Sequence, residues 1–223
     1  TAFIQGKEVT GTMGTYTGAS SVPIGKGDII TIESKQYRVL NVTNGIAEVL
    51  CLYDASEAQA FNATSVTTTF DGGTVGQKYA DSDLDTFLNT TFYNSLSATL
   101  RAAIVPKSIV QKMYDYADEP NRPNDDYTYC QQYEWGADVY DGYDNIEYVD
   151  VVTVGSRNVY ALDVEDVFTY LGFRTSLSSE INAMFWNVPD KEAVDSYPWL
   201  RSAYASSPDY AWYVNGYAGY LND

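Results

Sequence analysis

The sequence predicts an α+β domain of mixed short strands with few helices. Three observations predict it: a strong hairpin signal before residue 53, helix signals with their own caps in the middle of the chain, and a return to short aromatic strands after Pro198. The 223 residues, 45% of them hydrophobic, are enough to bury a real core, and no internal repeat divides them.

Residues 1–21 are rich in Gly, Thr and Ser and read as a linker or a short extended element leading into a domain at 22–223. The body opens with Ile29–Ile32 and Gln36–Val42, then Asn44-Gly45, then Ile46–Leu52. Asn-Gly between two β-rich runs marks a tight hairpin, because both turn positions need φ > 0. Ser82 with Asp85 three positions on starts a helix whose apolar face carries Leu84, Phe87 and Leu88. Ser97 starts a second, which buries Leu100 and Ile104 before Pro106 stops it, and Ser108–Val110 resumes as strand.

At about 115–148 the composition turns acidic and turn-forming, around Asp118-Glu119-Pro120-Asn121-Arg122-Pro123, and predicts a long surface insertion. Val149–Val154 returns to strand. A third helix is capped by Asp163, with Asp166 at the capping-box position, Val164, Val167, Phe168 and Leu171 as its stripe, and Gly172 as its stop. Ser178 or Ser179 starts a fourth with Ile181, Met184 and Phe185. Strands then follow at Trp199–Ser202, Ala211–Val214 and Tyr217–Leu221.

Thirty acidic residues against thirteen basic ones give a net charge of −17, a field that repels nucleic acid and anionic lipid. No apolar run is long enough to span a membrane. The first residue is Thr, so the chain is expected to be cut from a longer one. Histidine is absent, which removes the commonest general base and most zinc sites. Neither a catalytic residue nor a metal or cofactor is expected. Cys51 and Cys130 sit in no metal or redox spacing; Cys51 reads as a small core residue, and a disulfide between them is left open. The unusual number is 21 tyrosines, a residue that brings contact area at low entropic cost.

Two stretches carry a resemblance. Residues 1–13, with the core Gly6-Lys7-Glu8-Val9-Thr10-Gly11-Thr12, resemble a module of bacteriophage and prophage tail proteins found before receptor-binding domains. Tyr37-Arg38-Val39-Leu40, Phe87-Leu88-Asn89 with Phe92-Tyr93, the helix from Asp163 to Leu171, and Trp199-Leu200-Arg201-Ser202 resemble a bacterial and phage family with a C-type lectin fold. That family includes the variable proteins of diversity-generating retroelements. The resemblance implies a non-enzymatic binding domain, on a virion tail or cell surface, whose exposed C-terminal side chains change over a fixed scaffold. Its partner would be a protein or glycan on a host or target cell, and an oligomer is possible. Members continue past this point into a last core strand, whereas the sequence ends at Asp223.

The segment from Trp199 to Asp223 fits that description in composition, since Tyr, Asn, Ser, Asp and Ala dominate it. Ligand contacts are expected from Tyr204, Asp209, Tyr210, Tyr213, Asn215, Tyr217, Tyr220 and Asn222: aromatic faces for stacking, amides and a carboxylate for hydrogen bonds. The resemblance assigns the scaffold beneath them to Trp199, Leu200, Arg201, Trp212, Val214 and Gly216. Against a binding role stands the fact that Tyr and Trp are ordinary strand residues and that alternation turns half of them inward. Arg201 reads as a buried ion pair under the loops.

Other clusters have plainer explanations. Asp138–Asn145 invites calcium but matches no specific loop pattern and reads as a solvated acidic loop. Asp81, Asp83 and Asp85 crowd a helix start, where the helix dipole favours negative charge. A carbohydrate-active enzyme would need a carboxylate pair that does not stand out. A structural tail-fibre domain would bury the C-terminal tyrosines between subunits.

Overall fold

The computed structural model describes residues 2–5, 24–52, 59–116, 146–171, 184–185, 198–215 and 220–222. Mostly strands with few helices, it is an α+β fold.

The first sheet has four strands: β1 (Ala2–Gln5), β2 (Ile29–Ile32), β3 (Lys35–Thr43) and β4 (Ile46–Cys51), in the order β1-β4-β3-β2. Asn44 and Gly45 turn β3 into β4 with φ of 52° and 76°, the left-handed pair that Asn-Gly tolerates. Tyr37, Val39 and Val49 bury the centre of this sheet, and Cys51 is half-buried at its margin. The extended element expected near the N-terminus is β1, paired antiparallel with β4, so these four residues join the sheet of the domain they precede. Cys130 lies outside the described residues.

A small hairpin, β5 (Thr67–Thr69) and β6 (Val75–Gln77), precedes the helices. The first helical run is α1 (Asp83–Phe87), one π-helical turn (Leu88–Phe92) and α2 (Tyr93–Ser95); α3 is Ala98–Ala103. Both predicted caps form: the Asp85 backbone N–H donates to Ser82 Oγ at 3.0 Å and the Leu100 N–H to Ser97 Oγ at 3.1 Å. The widened turn begins beside Asn89, whose amide donates to the Val159 carbonyl at 2.9 Å while its oxygen accepts from the Asn158 backbone at 3.2 Å. A side chain drawn out to distant backbone, here the residues just after Arg157, distorts the helical ladder where it leaves.

Asp85 is more than a cap. Its carboxylate is buried and receives Arg157 Nε at 2.9 Å and Nη2 at 2.8 Å, tying α1 to a strand 72 residues away. Asp85→Asn, which keeps the volume and removes the charge, is expected to cost about 2 kcal/mol of stability in urea unfolding, the value of hydrogen bonds to a charged group. A loss below about 0.5 kcal/mol would mark the pair as energetically idle.

The second sheet has five strands: β7 (Lys107–Tyr116), β8 (Ile146–Arg157), β9 (Trp199–Tyr204), β10 (Ala211–Asn215) and β11 (Tyr220–Asn222), ordered β11-β10-β9-β7-β8. Of the span 115–148 expected as an insertion, residues 115–116 and 146–148 are strand, because β7 and β8 pair out to Tyr116 and Ile146. Aromatic cross-strand packing extends the ladder: Tyr114 and Tyr148 meet edge to face at 6.2 Å. Residues 117–145, with the possible calcium loop, lie outside the described residues. β9 runs parallel to β7 and antiparallel to β10, and Leu200 to Ala203 are all buried. A strand covered on both faces loses its alternation, as here.

Helix α4 (Val164–Leu171) joins the two sheets. Asp163 Oδ1 accepts from the Glu165 N–H at 3.0 Å, and Asp166 Oδ2 accepts from the Asp163 N–H at 2.8 Å, the capping box the sequence predicts. Val164, Val167 and Phe168 pack with Leu40 and Leu50 of the first sheet and Tyr114, Leu200, Trp212 and Val214 of the second. Met184 and Phe185 are helical and buried in the same cluster; the rest of the predicted fourth helix, and Gly172, lie outside the described residues. No described helix is long and apolar enough to cross a membrane.

Candidate functional site

The loop from Ala205 to Tyr210 links β9 to β10 and carries, among the predicted contact residues whose side chains are described, the two that are exposed. Tyr210 is 53% exposed and Asp209 is exposed beside it. The loop is tied at several points. The Ala205 N–H donates to the Tyr114 carbonyl at 2.9 Å, Ser206 Oγ to Asp115 Oδ2 at 2.7 Å, and the Tyr204 N–H to the Tyr210 carbonyl at 3.2 Å. A short hydrogen bond runs from Ser65 Oγ to Asp209 Oδ1. The loop therefore rests on the end of β7 and on the segment before β5, and Tyr210 projects from a braced tip.

The scaffold residues Trp212 and Arg201 are buried. Trp212 is fully buried, its indole N–H pointing to the Tyr114 carbonyl at 3.4 Å. Arg201 is buried as an ion pair, in line with its sequence reading. Nη1 meets Asp166 Oδ2 at 2.6 Å and the Ala161 carbonyl at 2.8 Å, Nε meets the Val110 carbonyl at 2.7 Å, and Asp163 Oδ2 lies 3.9 Å from Nη2. The guanidinium also stands 5.6 Å over the Tyr160 ring.

The charges of this cluster are interdependent. Burial pushes the Asp163 carboxyl up, and the neighbouring Asp166 adds to that against the pull of Arg201. Burial also opposes the charge on Asp166, but Arg201 and the Asp163 backbone N–H outweigh it and hold that carboxyl below the usual range. Tyr114 Oη donates to Asp163 Oδ1 and Ser202 Oγ donates to its Oδ2 at 3.0 Å, so both oxygens of the buried acid are engaged.

The predicted contact residues divide. Tyr210 and Asp209 share the loop tip. Tyr204 and Tyr213 are half-buried, each ring edge-on to a tryptophan: Tyr204 on Trp212 at 5.9 Å, Tyr213 on Trp199 at 5.7 Å. Trp199, expected as buried scaffold, is only half-buried, its ring edge-on to those of Phe61 and Tyr213. Asn215, Tyr220 and Asn222 lie in paired strands, Asn215 opposite Tyr220 and Tyr213 opposite Asn222. Their side chains, and Tyr217 with Gly216, lie outside the described residues.

Sequence reasoning missed Ser65, Tyr114 and Asp115. They reach the loop across 144 residues for Ser65 and 91 for both Tyr114 and Asp115, and no spacing or periodicity signals such a contact. Among the described residues no group of three His, Cys, Asp or Glu side chains is placed to hold a metal ion.

The profile of a family described only as a domain of unknown function, DUF6273, matches residues 57–131. That span contributes Ser65, Tyr114 and Asp115 to the support of the loop but none of the exposed tip. No curated protein and no solved structure matches the chain. Over residues 57–131, and on no wider span, the chain is similar to the DUF6273 family.

Proposed function

We propose that this is a ligand-binding protein without catalytic activity, whose recognition surface is built from its C-terminal segment on a C-type-lectin-like scaffold. In this reading it is a variable protein of a diversity-generating retroelement, carried on a virion tail or cell surface, and its partner is a protein or glycan of a target cell. The observation that carries the reading is the braced loop at 205–210, which holds Tyr210 and Asp209 in solvent and is anchored at Tyr114 and Tyr204 beside a buried Trp212. A surface that keeps its backbone fixed while presenting aromatic and acidic side chains can change partners without unfolding.

The test is binding of the full chain to a panel of bacterial surface polysaccharides and purified surface proteins, with Tyr210→Ala as the comparison. Tyr210 is exposed, so its truncation should leave stability within about 0.5 kcal/mol. Affinity for the ligand found should fall roughly tenfold or more, as for an aromatic anchor at an interface. Unchanged affinity would remove the loop from the recognition surface. A near-copy of the coding segment for Trp199–Asp223 beside a reverse transcriptase gene is the genomic expectation, and its absence would reduce the reading to a fixed adhesin.

One observation favours a second reading, a structural tail-fibre domain that buries C-terminal tyrosines between subunits: Tyr210 leaves 53% of its surface uncovered by its own chain. That reading expects the panel to yield no ligand and the isolated chain to self-associate through the Tyr210 face.

A further inference from the structure

A cleft of about 380 Å³ opens between the end of the β3–β4 hairpin and the turn from α3 into β7. Its floor follows from strand register. Asn41 lies opposite Glu48 and Thr43 opposite Ile46, and residues two apart on a strand share a face, so these four side chains line one side together. Val105, Pro106, Lys107 and Ser108 make the facing wall.

Glu48 is the informative residue. Its side chain is only 13% exposed, and one oxygen, Oε1, accepts both Tyr160 Oη at 2.6 Å and Lys107 Nζ at 3.2 Å. Oε2 accepts no hydrogen bond among the described residues. Glu48 lines a cleft of the size that holds small ligands, about 300–1,000 Å³, so Oε2 is left to take a donor from within that cleft.

We propose that this cleft binds a neutral saccharide ring, one hydroxyl of which donates to Glu48 Oε2. Lys107 already balances the charge of Glu48, so the missing donor is a neutral O–H rather than a second cation. The apolar side chains of Ile46, Val105 and Pro106 suit the C–H face of a pyranose, and the amide and hydroxyls of Asn41, Thr43 and Ser108 suit its remaining oxygens. Among the described residues no aromatic side chain lines the cleft, so the affinity is millimolar, as for a small ligand without a stacking platform. The site shares no residue with the 205–210 loop and stands or falls apart from it.

The test is a titration of the ¹⁵N-labelled full chain at pH 6.5 with glucose, galactose, mannose and N-acetylglucosamine, each to about 50 mM, well above a millimolar Kd. Saturable amide shifts confined to residues 41–48 and 105–108 are expected for at least one sugar. Glu48→Gln should weaken that binding roughly tenfold, the value of a charge-assisted hydrogen bond. Should that variant misfold, Thr43→Arg, at an exposed position on the same face, offers its own donors to Oε2 and should abolish the shifts. Glucosamine, the charged counterpart, should bind no more tightly than N-acetylglucosamine. The proposal is overturned by no saturable response to any sugar, by a response only outside the cleft, by cleft shifts that the folded variants leave intact, or by tighter binding of glucosamine.

Discussion

Arg201→Met is expected to destabilise the fold by about 3–5 kcal/mol, because it leaves two acids without the cation between them. Asp163, whose side chain is 1% exposed, keeps only its hydroxyl donors and the Glu165 N–H, and Asp166 loses its 2.6 Å partner. The Val110 and Ala161 carbonyls also lose their donor, and a Met side chain supplies volume without one. Urea unfolding at pH 7 measures the loss as a fall in midpoint at unchanged slope.

The pH dependence gives an independent check. In the native protein Asp166 is held below the usual carboxylate range, so its contribution is present above the unfolded value of about 3.9 and is lost as pH falls through the lower folded value. In the variant both carboxyls lose the cation: Asp163, already above the unfolded value, rises further, and Asp166, with burial no longer outweighed, rises above it. The folded variant then binds more protons than its unfolded chain, and its stability increases as pH falls from 7 toward about 4. The gap between variant and native protein should therefore narrow over that range. A gap that is constant with pH would mean that Arg201 acts through packing rather than charge.

Trp212→Ala is the second large effect, at about 3–5 kcal/mol for a fully buried large aromatic. For a chain of this length that corresponds to roughly 10 °C in a thermal melt. Trp212→Phe should cost much less, about 1–2 kcal/mol, because a ring is retained. The indole's acceptor is not orphaned, since the Tyr114 carbonyl still receives the Ala205 N–H at 2.9 Å. The edge-on contact at 5.9 Å makes Trp212 the backing of Tyr204, the last residue before the loop. The Ala variant should accordingly speed proteolysis within 205–210, while Phe preserves protection. Equal losses for Ala and Phe would place the energy in the indole N–H and not in the ring.

What the sequence determined by itself is the set of local features. Asn44-Gly45 dictated a left-handed turn and so the hairpin; Ser82, Ser97 and the pair Asp163 and Asp166 dictated helix starts; each cap lies within three residues of the N–H it accepts. Burial of Arg201 was legible because a guanidinium amid apolar strand residues needs a partner nearby. Four things only the tertiary structure decided. Asp85 was legible as a cap but not as the partner of Arg157; the insertion lost residues to β7 and β8 once Tyr114 met Tyr148; Tyr204 and Tyr213 turned to tryptophans because β9 and β10 are inner strands of the sheet; and Ser65 and Asp115 reached the loop across the chain. The physical reason is common to all four. Caps and turns are settled within a few residues of chain, whereas which side chain meets which across neighbouring strands and between elements depends on strand order and register, which no local pattern encodes.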